Sequence, residues 1–258
     1  TAKDIIENGP YDLVGEYKDL WMNAQKTDKT EHIFALQHSL SYLPSQYGIS
    51  YLGKEENGWY DYVGDPVFFK NFPDDKRKKF CYVTSTVDTQ GNQIEWEDFD
   101  IGAPFIRKYR NYGGCGTYGI EGNTATRSSL SEGLTPIYRF ADVLLIYAEA
   151  SNKAEGSPNT LAYKCLNRVR DRAFGDQSHQ YAGLTPEKFA DAVFDEFGWE
   201  NVFEFKRWFQ LVRTEKVDEA VGKNTAIGAR LNANKENYLF PIPVRQCELR
   251  GWKNNPGY

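Results

Sequence analysis

The segment from residue 195 to residue 213 combines a regular row of glutamates with many large apolar side chains. Glu196, Glu200 and Glu204 recur at every fourth position, so on a helix they lie along one face. The apolar residues of the segment are Phe197, Phe203, Phe205, Trp208, Phe209 and Leu211. The segment is too apolar for a solvated helix and too interrupted by charge for a membrane span. We therefore predict that the row is buried.

A buried row of carboxylates requires nearby cations, because an unpaired buried charge is costly. The row has a second interpretation, since carboxylates about 5–6 Å apart on a helix match the separation in a retaining glycoside hydrolase. A hydrolase pair flanks an open cleft, whereas large aromatic residues surround this row. We therefore favour structural ion pairs over a catalytic pair. The predicted polar hub consists of Arg139, Glu196, Glu200, Glu204, Arg207 and Arg213.

Apolar residues at helical spacing predict a pair of antiparallel helices in the second half of the chain. The first is expected over residues 136–154, with Pro136 at its first position. The second is expected over residues 162–173, which gives a hairpin of tetratricopeptide-like size. A third helix is predicted to begin at Thr185-Pro186 and to run into the glutamate row.

The first half of the chain has weaker patterns. Residues 1–8 predict the end of a helix that began further upstream, so we expect the chain to be part of a longer protein. Residues 31–36 fit a strand and a helix equally well. Residues 80–87 and 93–96 predict a β-hairpin, with a further strand over 105–112. The apolar residues of segment 41–73 fit neither the helical nor the strand period, and they predict a long aromatic loop broken by Gly and Pro.

Composition excludes several classes of function. The net charge of −5 and the pI of about 5.4 argue against nucleic-acid binding, which needs a concentrated cationic face. The 3 histidines and 4 cysteines show no metal-ligand spacing. The pattern Gly114-x-Gly116-x-x-Gly119 matches a dinucleotide fingerprint, but the residues after it predict no helix, so we expect neither a metal nor a cofactor. A disulfide between Cys81 and Cys115 is left open by the sequence.

Three ordered blocks of sequence carry a family resemblance. Residues 199–213, read as Trp-Glu followed by Phe-Glu-Phe-Lys-Arg-Trp-Phe-Gln-Leu-Val-Arg, resemble the E-x-x-R-W-F-D-L-x-R signature of the SusD/RagB family, with departures at Lys206 and Gln210. Residues 138–150 are similar to the family's R-Y-A-D-V-L-L-x-Y-A-E-A helix. The Pro-Ile-Pro and Asn-Pro-Gly-Tyr elements near residue 258 resemble its C-terminal ending. The resemblance is specific over residues 135–258 and weaker before them.

The resemblance implies a mainly α fold, a tetratricopeptide-like α-α superhelix with a long irregular aromatic loop region and small β-hairpins. We expect residues 1–134 to form the loop and hairpin region, after the end of a truncated helical repeat. Residues 135–258 should form the C-terminal helical region, and the two should make one continuous structural unit. The Asp75-Lys76-Arg77 sequence resembles a further landmark of the family.

Members of this family are non-catalytic glycan-binding lipoproteins on the surface of Bacteroidetes-type bacteria. The resemblance therefore implies an oligosaccharide or polysaccharide ligand and a TonB-dependent, SusC-like porin as partner in the outer membrane. It also implies a lipid anchor, on an N-terminal part absent from this chain, that holds the protein on the extracellular face. The alternatives are a helical-repeat module for protein interaction and a glycoside hydrolase that uses the glutamate row.

The aromatic loop is the candidate site for a glycan. The chain contains 17 Tyr and 6 Trp, more amphipathic rings than a core requires. Sugars present an apolar face and a rim of hydroxyls, so rings next to Asn and Asp suit them. Packing of the loop onto the helices is the alternative interpretation. The predicted ligand-binding residues are Asn57, Trp59, Tyr60, Asp61, Tyr62 and, from the hairpin, Trp96.

Overall fold

The computed structural model describes residues 1–21, 30–39, 41–42, 50–56, 58–87, 90–109, 134–222 and 235–258. Its helices in these ranges are α1 (Ala2–Asn8), α2 (Pro66–Asn71), α3 (Lys76–Cys81), α4 (Phe140–Glu155), α5 (Thr160–Phe174), α6 (Pro186–Glu200), α7 (Arg207–Arg213), α8 (Val217–Gly222) and α9 (Val244–Arg250). Its strands are β1 (His32–Leu36), β2 (Tyr82–Val83), β3 (Ser85–Val87), β4 (Gln93–Glu95), β5 (Phe105–Ile106) and β6 (Thr135–Arg139). In these ranges, no helix has both the length and the apolar character needed to cross a membrane.

The predicted helix pair is present as α4 and α5, and α6 packs against α4 as the predicted third helix. Local signals fix the ends of these helices. The Asn159 side chain accepts a hydrogen bond from Ala162 N at 2.8 Å and begins α5. Thr185 caps α6, which has Pro186 in its first turn. The apolar faces meet in one buried cluster whose members include Leu144, Leu145, Ala148, Leu166, Val169, Phe189 and Val193.

The first helix of the pair begins later than predicted, because β6 takes up the residues before it. β6 pairs antiparallel with β1, with Arg139 opposite His32. The ladder to β1 overrides the preference of Pro136 for a first helical turn, so α4 starts at Phe140. The ambiguous segment near residue 32 is therefore a strand. This pairing places Arg139 at the point where the strand becomes a helix.

The predicted β-hairpin is present only in its central part, where β3 pairs with β4. Phe80 and Cys81 lie instead in α3, because the Asp75 side chain accepts hydrogen bonds from the backbone of Arg77 and Lys78 and starts a helix there. β2 leaves the hairpin and pairs with β5, which falls within the strand expected near residue 105.

The glutamate row does not continue along one helix, because α6 ends at Glu200. Residues 201–205 form turns, and Phe203 and Phe205 adopt φ values of 64° and 60°. A helix excludes this left-handed conformation. Glu204 therefore comes from a turn rather than from the helix, and α7 starts in a new direction. The expected continuous row from Glu196 to Arg207 is wrong beyond Glu200.

A second buried cluster joins residues from both halves of the chain, including Tyr17, Tyr51, Cys81 and Val202. The division of the chain at residue 134 stays a prediction. Cys115 lies outside the described residues, so the possible bridge to Cys81 also stays open. Cys81 itself is buried among aromatic rings, and burial raises the pKa of its thiol to about 11.

Candidate functional site

Residues 58–62 carry most of the predicted aromatic surface, and backbone hydrogen bonds hold them against the preceding turn. Gly58 N donates to Gly53 O at 2.8 Å, and Tyr60 N donates to Leu52 O at 3.0 Å. A Cβ atom at Gly58 would lie only 2.1 Å from Leu52 O, so this close approach of two backbones requires glycine. The aromatic loop is therefore a defined structural element at this point.

The structure brings three predicted aromatic residues to the surface of this loop. Trp59 is 55% exposed, Tyr60 is 38% exposed and Tyr62 is 51% exposed. Asp61 between them is also exposed. Asn57, the remaining predicted residue of the loop, lies outside the described residues. The loop thus presents aromatic rings and a carboxylate together on one exposed segment.

Tyr62 lies between a buried ring and an exposed ring. Its centroid is 5.6 Å from that of the buried Tyr51 and 6.0 Å from that of Phe205. Phe205 is 49% exposed, although the sequence pattern predicted a buried residue. It was not among the predicted site residues, because nothing in its neighbourhood distinguishes it from the buried phenylalanines of the same segment.

An exposed ion pair lies beside the loop. Lys54 Nζ is 3.1 Å from Asp100 Oδ2, and Glu55 Oε1 accepts a hydrogen bond from Asp100 N at 2.7 Å. The hydrogen bond to Asp100 raises the pKa of Lys54, and the nearby Tyr60 acts in the same direction. The aromatic loop therefore has charged hydrogen-bonding groups at its edge.

Trp96 does not belong to this surface, contrary to the expectation from its place in the hairpin. Only 8% of the residue is exposed, and its ring packs 5.5 Å from that of Phe69 in a separate core cluster. Lys70 Nζ lies 5.4 Å from the ring centroid. Because Trp96 starts a short 3-10 turn right after β4, its side chain turns inward. It supplies no second wall for a ligand.

A buried network of ion pairs surrounds the glutamate row. Its cations are Arg77, Lys108, Arg139, Arg170, Arg172 and Lys206, and its anions are Glu31, Asp75, Asp142, Glu196, Glu200 and Glu204. We call this set the ion-pair cluster. Its positive and negative charges balance, which limits the cost of holding so many charges away from water.

Arg139 lies at the centre of the ion-pair cluster. Its Nη1 donates to Glu31 Oε1 at 2.7 Å and to Glu200 Oε1 at 2.8 Å. Its Nη2 and Nε donate to the two carboxylate oxygens of Glu204, at 2.7 and 3.1 Å. The planar fork of arginine allows this bidentate contact, which a lysine cannot reproduce.

Arg77 occupies the other end of the ion-pair cluster. Its Nη1 donates to Glu196 Oε1 at 2.6 Å and to Glu200 Oε2 at 3.1 Å. Asp75 accepts from its Nη2 at 2.7 Å. The sequence signal for this residue was its place in the Asp75-Lys76-Arg77 landmark. Arg170 and Arg172 were missed as well, because nothing in the sequence of α5 links them to the glutamates of α6.

Two predicted hub residues lie elsewhere. Arg207 donates to Phe194 O at 3.2 Å and to the Gln210 side chain, and its guanidinium is 4.2 Å from the Phe194 ring centroid. Arg213 pairs with the partly exposed Glu149 on α4. Both belong to α7, which follows the turns at residues 201–205 and does not continue α6. Although Arg207 and Arg213 are close to the glutamates in sequence, their side chains pair with other groups.

Burial raises the pKa of Glu200, but Arg172, Arg139 and Arg77 outweigh that effect and bring the pKa down to about 2. Glu204 has a pKa well below its ordinary value, because Arg139 and Lys108 overcome its desolvation. A general acid in glycoside hydrolysis needs a raised pKa and contact with substrate. Glu200 and Glu204 are ionised and enclosed by cations in the buried cluster, so these two carboxylates lack the raised pKa and the open position of a general acid.

Comparison with known proteins gives a consistent result. The sequence profile of the SusD family matches residues 54–258. SusD-like protein P2 of Formosa agariphila is 26% identical over 275 residues, which cover 95% of this chain and 52% of that protein. SusD-like protein P25 of the same organism is 32% identical over 153 residues, 59% of this chain and 27% of that protein. The chain thus spans about half the length of P2.

Solved structures show the same fold. A SusD superfamily protein from Parabacteroides distasonis matches with a TM-score of 0.75 at 24% identity, over 100% of this chain and 56% of that one. Surface glycan-binding protein A from Bacteroides thetaiotaomicron, in complex with laminarihexaose, matches with a TM-score of 0.68 at 20% identity, over 99% of this chain and 58% of that one. The predicted mainly helical, tetratricopeptide-like fold is confirmed. Because the family profile covers most of its residues, the chain belongs to the SusD family.

Proposed function

We propose that this chain is part of a non-catalytic protein that binds glycans at the bacterial cell surface. The observation that carries the proposal is the exposed aromatic surface of Trp59, Tyr60 and Tyr62 on a loop fixed by backbone hydrogen bonds. Flat rings match the apolar faces of sugars, and Asp61 and Lys54 provide hydrogen bonds for hydroxyl groups. The likeness to a glycan-binding protein solved with laminarihexaose supports this assignment.

The state of the glutamate row supports a binding function over hydrolysis. A catalytic pair would need an exposed face, whereas Glu196, Glu200 and Glu204 are buried and paired with arginines. We therefore expect no release of reducing ends when the protein is incubated with a bound polysaccharide. Turnover that Glu200→Gln abolishes would refute the non-catalytic assignment.

We also propose that the full-length protein is anchored by a lipid on the extracellular face of the outer membrane and delivers glycans to a TonB-dependent, SusC-like porin. Family membership supports this placement. Labelling of intact cells with a reagent that cannot cross the membrane should modify the protein. Detergent extraction should recover it together with a β-barrel transporter. Recovery of the protein in the soluble fraction of lysed cells, with no labelling of intact cells, would contradict the proposal.

The binding function is tested with the protein and its Trp59→Ala variant on a panel of polysaccharide affinity gels and by titration calorimetry. Loss of one stacking platform should weaken binding by about 1–3 kcal/mol, by analogy with aromatic stacking in other sites. The melting temperature should change by less than about 2 °C, because the ring is half exposed. Phe209→Ala is the matched control, since Phe209 is 68% exposed but lies on α7. Equal losses of stability and binding would mean that Trp59 has a packing role.

A further inference from the structure

Phe205 combines a left-handed backbone conformation with a half-exposed aromatic ring. Its backbone has a φ of 60°, in the left-handed region that disfavours any residue with a Cβ atom. Its side chain is 49% exposed and its ring contacts that of Tyr62. Strained residues persist where the surroundings hold them, and they concentrate at ligand sites.

Phe203, two positions earlier, provides an internal comparison. It has nearly the same backbone conformation, with a φ of 64°. Its ring, however, packs 4.9 Å from that of Tyr82 in the second core cluster, and its carbonyl accepts a hydrogen bond from Tyr109 Oη at 3.0 Å. The left-handed conformation at Phe203 therefore serves packing. At Phe205 the same conformation directs a large apolar ring toward solvent.

The exposed ring of Phe205 lies against the proposed glycan site. Its centroid is 6.0 Å from that of Tyr62, and the two ring planes are at 87° to each other. Tyr62 is in turn supported by the buried Tyr51 at 5.6 Å. Two half-exposed rings at a right angle form a corner rather than a flat platform, so a single plane of sugar cannot stack on both.

We propose that Phe205 is the second wall of the glycan site, and that the corner it forms with Tyr62 binds sugar chains whose successive rings turn relative to one another. The inference rests on the proposed function. A β-1,4-linked glucan is a flat ribbon and presents one plane, which suits one of the two rings. A β-1,3-linked or α-1,4-linked glucan is curved, so one sugar can lie on Tyr62 while a neighbouring sugar lies on Phe205.

The test compares binding and stability in four proteins: the wild type and the variants Phe205→Gly, Phe203→Gly and Phe209→Ala. The probes for calorimetry are laminarihexaose, maltohexaose and cellohexaose. The wild type should bind at least one of the curved hexaoses more tightly than cellohexaose. Phe205→Gly should weaken that binding roughly 5- to 100-fold, as expected for loss of one stacking ring. Its melting temperature should stay within about 2 °C, because glycine relieves the strain as the ring contact is lost.

The controls separate a binding role from a structural one. Phe203→Gly should lower the melting temperature by several degrees, because its ring is part of the core. Phe209→Ala should leave both quantities unchanged. If Phe205→Gly binds as tightly as the wild type, the inference is refuted and the proposed function stands. The same holds if the wild type binds cellohexaose more tightly than both curved hexaoses. A large loss of stability in Phe205→Gly would show a packing role and would also overturn it. A wild type that binds none of the hexaoses and no gel of the wider polysaccharide panel would refute the proposed function itself.

Discussion

Replacement of Glu200 by glutamine tests the ion-pair cluster most directly. Glu200 accepts hydrogen bonds from Arg139 at 2.8 Å, from Arg172 at 2.6 Å and from Arg77 at 3.1 Å, and its side chain is inaccessible to solvent. Glutamine keeps the shape but removes the negative charge, and its amide must face an arginine. The balanced cluster then carries an uncompensated positive charge away from water. Loss of one partner of a buried ion pair costs about 3–5 kcal/mol.

The assay is equilibrium unfolding in urea, followed by circular dichroism, with the melting temperature as a second readout. A loss of that size should lower the melting temperature by roughly 6–20 °C for a chain of this length. Glu149→Gln is the matched control, because it breaks the exposed pair with Arg213 and should cost no more than about 1 kcal/mol. If Glu200→Gln and Glu149→Gln destabilise the protein equally, the buried cluster does not hold the fold together.

Three further predictions concern His32, Arg139 and Gly58. The pKa of His32 is lowered to about 4, first by burial and then by Arg139. The unfolded chain therefore binds more protons than the folded one below pH 6.5, and the free energy of unfolding should fall by about 2 kcal/mol between pH 7 and pH 5 in urea titrations. His32→Gln should flatten this dependence of stability on pH. An unchanged dependence would exclude His32 as its source. Arg139→Lys should lower the free energy of unfolding by at least about 3 kcal/mol in the same assay, because lysine cannot make the bidentate contact with Glu204. A smaller loss would show that the positive charge alone suffices. Gly58→Ala should weaken glycan binding on affinity gels, because the added Cβ displaces the loop, whereas unchanged binding would mean that the loop is not part of the site.

The helical framework could be predicted from the sequence because its signals are local. Apolar spacing identified α4, α5 and α6, and the caps at Asn159 and Thr185 are visible as residue types. The break after Glu200 could not be predicted, since it depends on two phenylalanines in a conformation that normally calls for glycine. Tertiary packing imposes that conformation at Phe203, and no local pattern reports it.

Arg139 was among the predicted hub residues and does pair with Glu200 and Glu204, but most other partners of the glutamates were hidden, because they are distant in sequence. Arg77 and Glu196 are separated by 119 positions, and Arg139 and Glu31 by 108. The row indicated that cations were needed, but the nearest arginines in sequence were the wrong ones. The aromatic residues show the same limit. Trp59 and Trp96 both lie near acidic residues, and only the turn that follows β4 decides that one is exposed and the other buried.

The ion-pair cluster has a structural consequence that a purely apolar core would not provide. Apolar replacements of buried ion pairs are often equally stable, so stability alone does not account for the cluster. Lys108 Nζ donates to Val202 O at 2.8 Å and to Glu204 Oε1 at 2.6 Å, while Arg139 holds both carboxylate oxygens of Glu204. Such directional contacts fix the backbone path of the turn at residues 201–205. The next residue is Phe205, so the buried charges determine where the proposed second wall of the glycan site stands.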